Sequence, residues 1–232
     1  MKLSIGEVFA EAWNLYTRHA GKMILMAAIV FGFLSLVAAA IGPTRHPGLI
    51  ALIAVVYTVG LLWLQGALAV AVGELRAGRT IDSIGSVFDR VAPRLLPLIV
   101  AGILVAVGVG GGFILFFVPG LILLTLWMAV TPAVVLEGKS VLEAFGRSYQ
   151  LVRGDGLRVF AIIAITTIFS TIIATVIRAL LTPLPRFFDL YLAGVIANSV
   201  VMPFVALAWT ITYFDLKLNK DPQWRPQTST TS

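Results

Sequence analysis

Long apolar runs alternate with short polar stretches along this chain, and the polar stretches carry helical periodicity. In residues 4–18, Ile5, Val8, Phe9, Ala12, Trp13 and Tyr16 form one stripe, and Ser4 with Glu7 forms an S-x-x-E capping box. In residues 81–95 the stripe returns as Ile84, Val87, Phe88, Val91, Ala92 and Leu95. The third instance lies in residues 137–158. There Val141, Ala144, Phe145, Ser148, Tyr149 and Val152 share a face, while Glu143, Arg147, Gln150 and Arg153 fall largely elsewhere. Such two-faced helices suit a membrane surface, apolar side down and charges in water. An equal alternative for the first is that it packs on the protein itself.

The apolar runs predict six membrane helices, at residues 23–41, 49–72, 95–109, 114–136, 159–181 and 190–214. A bilayer crossing takes about 20 residues. Residues 42–48, with Pro43, Arg45, His46 and Pro47, predict a turn, as do Pro183, Pro185 and Arg186. Residues 108–113 hold four glycines and predict a turn or a close packing point. Bends are expected at Pro119-Gly120 and at Pro132, and Pro203 lies inside the last helix. The polar tail, residues 221–232, is expected to be disordered.

The three surface stretches align without gaps as SIGEVF from Ser4, SIGSVF from Ser83 and SVLEAF from Ser140, which superposes Phe9, Phe88 and Phe145. The second membrane helix of each set ends in an acid followed by a base: Glu74 then Arg76, Glu137 then Lys139, Asp215 then Lys217. Trp63 precedes Glu74 much as Trp127 precedes Glu137. The predicted fold is therefore an all-α integral membrane protein, one domain over residues 1–220. Its six transmembrane helices form three parallel repeats of an amphipathic surface helix plus a transmembrane hairpin, at about residues 4–76, 81–139 and 140–217. Two crossings per unit give every copy the same orientation, with the pseudo-symmetry axis along the membrane normal.

Composition sharpens this picture. The 232 residues are 59% hydrophobic and 12% charged, with a net charge of +6 and no cysteine. Continuous rather than alternating apolar runs disfavour a β-barrel. The absence of cysteine excludes disulfides, thiolate nucleophiles and cysteine-ligated metals. Of the 17 Lys and Arg, 14 fall on the side that holds both termini and the surface helices; only Arg45, Arg178 and Arg186 lie opposite. The positive-inside rule then places both termini in the cytoplasm, with the chain multi-pass in the inner (plasma) membrane. Sorted in this way, the charge suggests anionic lipid headgroups as partners rather than nucleic acid.

The candidate chemistry is sparse. Ala133–Ser140, AVVLEGKS, meets a permissive P-loop pattern, but it follows an apolar helix instead of a strand and places Glu137 where phosphate would sit. His19 and His46 are predicted on opposite sides of the membrane and cannot share a metal, and Asp82 and Asp89 are most simply solvated. No metal, cofactor or catalytic residue is expected, and an enzyme is disfavoured. Gln65, Asn198, Ser199 and the cluster Thr166, Thr167, Ser170, Thr171 and Thr175 are neutral, and such groups more often join helices than bind substrate.

Residues 117–160, FVPGLILLTLWMAVTPAVVLEGKSVLEAFGRSYQLVRGDGLRVF, carry a pattern of Pro119-Gly120, Trp127…Pro132…Glu137, Ala144-Phe145 before Arg147-Ser148, and Arg153-Gly154. With GEVFAEAWNLYTRH near the start and YFDLKLNK near the end, this resembles bacterial proteins grouped with the membrane domain of glycerophosphoryl diester phosphodiesterases. In fused members hydrolysis belongs to a separate soluble barrel, for which this chain has no room. The resemblance thus implies a membrane module linked to lipids, not a hydrolase.

The leading functional expectation is a non-enzymatic membrane module in envelope or lipid homeostasis. Its cytoplasmic helices would contact anionic lipid, a partner protein or a second copy. The candidate contacts are Phe9, Trp13, Arg90, Arg94, Phe145, Arg147, Arg153 and Arg158. Glu74, Glu137 and Asp215 are the candidate acids of a structural ion-pair ring tying surface helices to hairpins, with Arg147 on Glu137 or a lipid phosphate. The alternative is a small transporter or lipid-translocating protein with its path between the repeats, marked by a cavity reaching Thr166–Thr175 and Asn198. The orientation predicts that a tag on the C terminus is reachable only from the cytoplasmic side. Labelling from outside intact cells would overturn it.

Overall fold

A computed structural model describes residues 4–41, 46–81, 83–181 and 186–221. The expected turn residues Pro43, Arg45, Pro183 and Pro185, together with Asp82 and the tail from residue 222, lie outside them. Nine α-helices follow one another among the described residues: α1 Ile5–Ile41, α2 Pro47–Arg76, α3 Ile84–Val91, α4 Leu95–Leu115, α5 Phe117–Leu126, α6 Val130–Leu136, α7 Val141–Val152, α8 Gly156–Leu181 and α9 Arg186–Lys220. A 3-10 turn at Ala92–Arg94 joins α3 to α4. Six stretches are long and apolar enough to cross a membrane: α1, α2, α3–α4, α5–α6, α8 and α9. This is an all-helical, multi-pass membrane protein.

Several boundaries differ from the periodicity. The first surface stretch and the first crossing are one helix, α1, because the four residues between them, His19–Lys22, hold no proline, and Gly21 among them keeps its hydrogen-bond donor. The glycines at 108–112 do not turn the chain: α4 continues to Leu115, and the turn comes at extended Phe116. They are packing points instead. A Cβ on Gly112 would stand 2.9 Å from the Gly120 Cα, and one on Gly108 would stand 2.3 Å from the Trp127 ring. Pro119 does not bend its helix, since it occupies the first turn of α5, where the backbone N–H would be unpaired in any case. α8 begins at Gly156, and α9 passes through Pro203 to Lys220.

The break that does occur, at Trp127–Ala129, precedes Pro132, whose ring disturbs the helix one turn upstream. Leu126 O loses its regular partner there, because Val130 N bonds to Trp127 O at 3.1 Å. The fully buried Ser148 of α7 repairs the gap. Its hydroxyl donates to Leu126 O at 2.6 Å and accepts from Ala129 N at 3.2 Å. Near Pro203, inside the unbroken α9, the Tyr16 hydroxyl of α1 donates to Val200 O at 2.9 Å and ties the two helices together. Broken helices survive within a membrane only where other groups satisfy the freed backbone.

Burial is concentrated toward one end. In α2 the buried residues begin at Leu64 and run to Leu75; in α8 they span Val159–Thr166. The opposite halves expose Ile50, Val55, Ile168, Ile172 and Leu180, surface that lipid would cover. α2 packs against both α6 and α9, whereas α6 and α9 scarcely touch. Between them lies a cavity of about 330 Å³.

Ser148→Ala should lower stability by about 1–3 kcal/mol, the cost of leaving a buried backbone group without its partner. Thermal denaturation in detergent measures it, and an unchanged midpoint would show that the bend needs no bridge.

Candidate functional site

Most of the charged side chains of the described residues lie at the buried end of the bundle, where α2, α6 and α9 finish, with α3 packed on α2 and α7 on α6 and α9. Glu137, just past α6, is the most enclosed acid, its side chain 9% exposed. It accepts from the Tyr213 hydroxyl at 2.6 Å and pairs with Arg147 at 3.1 Å and Lys217 at 3.0 Å. Arg147 also pairs with Asp221, so α6, α7 and α9 meet in one network. Burial alone would raise the Glu137 carboxyl. The Tyr213 and Lys217 hydrogen bonds and the charges of Lys217 and Arg147 outweigh it and hold the carboxyl below its ordinary value. Burial likewise opposes the Arg147 charge, and Asp221 and Glu137 overcome it, raising its pKa.

The other two predicted acids also bridge helices. Glu74, near the end of α2, pairs with Arg79 and, at 2.7 Å, with Arg90 of α3. Asp215 of α9 pairs with Arg76 of α2, which reaches Glu11 of α1 at 3.0 Å and the Ile211 carbonyl at 3.1 Å. Each acid finds its partners away from the base two positions on: residues two apart point to different sides of a helix. The partners come from other elements, and Glu11, Tyr213 and Asp221 were not singled out in the sequence. Asp221 was assigned to the tail, yet its N–H bonds to Lys217 O at 2.8 Å as α9 ends.

Of the expected contacts, Arg90, Arg147 and Arg158 are held in internal pairs, Arg158 with Asp155 at 3.0 Å. Arg94 donates to the Gly138 carbonyl at 3.1 Å. Arg153 is exposed and makes no carboxylate pair among the described residues. The aromatic candidates pack inward on the protein. Phe145 meets Trp127 edge to face at 4.9 Å, Phe9 stacks on Phe204 at 6.4 Å, and the half-exposed Trp13 meets Phe204 at 6.3 Å. Phe88 meets Trp63 edge to face at 5.4 Å, and the Trp63 N–H donates to the Phe88 carbonyl at 3.2 Å.

AVVLEGKS has no phosphate-loop geometry. Its apolar part is helix α6, and Gly138, at φ +65°, is the left-handed residue that ends it. A Cβ there would also stand 2.7 Å from the Arg94 guanidinium.

The family model described as Domain of unknown function (DUF7847) matches residues 65–215, more than half of the chain. The chain belongs to this family. No curated protein and no solved structure matches it. The region that matches the DUF7847 family contains Glu74, Arg76, Arg90, Glu137, Arg147 and Asp215, while Glu11 and Asp221 lie outside it.

Because its pKa is depressed, Glu137 contributes stability that is complete above its ordinary value of 4.5 and is lost as pH falls through its lower native value. Glu137→Gln should therefore lower stability at pH 7 by about 3 kcal/mol, the low end for removing one partner of a buried pair. The gap from wild type should narrow as pH falls below 4.5. Melting curves across pH test this, and a gap independent of pH would show that the charge of Glu137 is not what matters.

Proposed function

We propose that this chain is a non-enzymatic membrane module of three units, with both termini in the cytoplasm. In this reading its charged end lies at the cytoplasmic leaflet of the inner membrane and holds anionic lipid, in the service of envelope or lipid homeostasis. The observation that carries the reading is a division among the cations of that end. Arg76, Arg79, Arg90, Arg147, Arg158 and Lys217 are engaged with carboxylates. Arg18, Arg94, Lys139 and Arg153 make no salt bridge among the described residues, and they leave positive charge for phosphate. The resemblance to phosphodiesterase membrane domains points the same way.

The three-unit reading is supported by how the parts dock. Seven residues after Ser4, Ser83 and Ser140 come Glu11, Arg90 and Arg147, and each takes part in an ion-pair network with the end of another hairpin. Arg90 meets Glu74, Arg147 meets Glu137, and Glu11 reaches Asp215 through Arg76. The aligned phenylalanines follow the same order: Phe88 on Trp63, Phe145 on Trp127 and Phe9 on Phe204. Phe204 precedes Asp215 by the spacing that separates Trp63 from Glu74. Each surface segment thus rests on the preceding hairpin, and the third closes on the first.

A transport path is less well supported. The 330 Å³ cavity is not lined by Thr166–Thr175 or Asn198. Trp209, in its wall, donates its N–H to Thr166 at 3.2 Å and stands between the two.

Native mass spectrometry of the protein released gently from its membrane tests the proposal. Retained phosphatidylglycerol should fall roughly tenfold or more in the Arg94→Gln, Arg153→Gln double variant, at about 1 kcal/mol per cation near an anionic surface. Unchanged retention, or a protein partner at fixed ratio with no lipid, would overturn it. Arg147→Ala is not a probe of lipid, since it dismantles the Glu137 network and should appear first as lost stability.

A further inference from the structure

The cavity between α2, α4, α5–α6 and α9 is used by neither the ion pairs nor the lipid-facing cations. Its walls are largely leucine, valine and methionine with the rings of Trp127 and Trp209, and its volume of about 330 Å³ falls within the roughly 300–1,000 Å³ of small-molecule sites. Gln65, Thr131 and Thr210 supply neutral polar groups, and no Asp, Glu, Lys, Arg or His lines it. Gln65 lies nine residues before Glu74 on α2, about 13 Å along the helix axis, which puts its amide near mid-depth of a hydrocarbon layer about 30 Å thick.

That amide is exposed, and it makes no hydrogen bond among the described residues. The expectation that Gln65 joins two helices therefore finds no partner for it. An unpartnered amide in hydrocarbon is strongly unfavourable, and a wall that offers one donor–acceptor group amid apolar surface selects its ligand's chemistry. A charged headgroup finds no counter-charge here, whereas an apolar body with one carbonyl or hydroxyl finds both surface and hydrogen bond. The Trp209 N–H is already occupied by Thr166, leaving its ring for apolar contact. α4 and α9 both line the cavity without packing closely on each other, and Ala106 in its wall is exposed, so access is sideways from the bilayer.

We propose that this cavity is a binding site for one neutral lipid-like molecule, an apolar chain bearing a carbonyl or hydroxyl that hydrogen-bonds to Gln65 at mid-membrane. The site is independent of the anionic-lipid contacts at the charged end, and either can fail without the other.

The test is photolabelling of the full chain in nanodiscs with a diazirine-bearing monoacylglycerol, followed by peptide mapping. Labelling is expected within residues 61–69, 124–132 and 202–210, and excess unlabelled monoacylglycerol should displace it. Gln65→Leu should reduce it at least fivefold. Ala106→Phe, which fills the space and leaves the amide in place, should do the same, and both variants should keep the wild-type melting temperature. Labelling that does not saturate, that survives both substitutions, or that phosphatidylglycerol displaces equally well would overturn the proposal, the last by showing that any lipid tail fills the space. Loss of labelling in Gln65→Leu alone, with Ala106→Phe labelled normally, would overturn the placement of the ligand in the cavity.

Discussion

Apolar helix faces in a bilayer gain little by exchanging lipid for one another, because lipid tails are as apolar as leucine. This bundle depends instead on polar contacts gathered at one end, with Glu137 at their centre. The carboxylate receives Tyr213, Arg147 and Lys217 from two other helices. Each of these contacts with Glu137 comes from another helix, so each binds the bundle together. The distribution of burial agrees: the interior is dense beneath the ion pairs, and the far halves of α2 and α8 expose their apolar side chains.

The same economy of polar groups accounts for the broken helices. Pro132 and Pro203 disturb two of the helices that border the central cavity, and in hydrocarbon no water is available to the carbonyls they disturb. At the α5–α6 break Ser148 reaches in from α7 to satisfy the Leu126 carbonyl, and beside Pro203 the Tyr16 hydroxyl of α1 bonds to Val200 O. A serine on the buried face of an otherwise apolar stripe is thus explained by the chain it repairs twenty-two residues away. Glycine serves a complementary purpose at Gly108, Gly112 and Gly120, where the α4–α5 hairpin closes so tightly that no side chain fits. The central helices do not close in this way, and Gln65 faces the gap they leave.

Much of this was legible in the amino-acid pattern, and the parts that were not share a cause. Six helices long and apolar enough to cross follow from apolar length, and the cap of the first helix from Ser4 three residues before Glu7, whose N–H donates to the Ser4 hydroxyl at 3.4 Å; the caps at Ser83, which accepts from the Ser86 N–H at 3.1 Å, and at Ser140, which meets Glu143, repeat it. Glu74, Glu137 and Asp215 stood out because acids are rare in so apolar a chain, and all three prove to be paired. Arg147 as a partner of Glu137 was legible ten residues away, and the structure pairs them; Arg90 for Glu74, Arg76 for Asp215 and Tyr213 for Glu137 were not, because a local pattern cannot say which distant group a carboxylate will meet. Nor could it separate a glycine that turns the chain from one that admits a neighbour: both read as glycine, and only the presence of Trp127 and Gly120 decides.

The sequence by itself determined that this is a multi-pass helical membrane protein, with Glu74, Glu137 and Asp215 near the ends of its apolar helices. Those properties depend on composition and on periodicity within single segments, where each residue's preference for lipid or water acts alone. Only the tertiary structure decided that Arg76 joins three helices, that Ser148 bridges a break, and that the centre is hollow beside Gln65. Each of these depends on the distance between residues far apart in the chain, which packing sets and no local pattern contains.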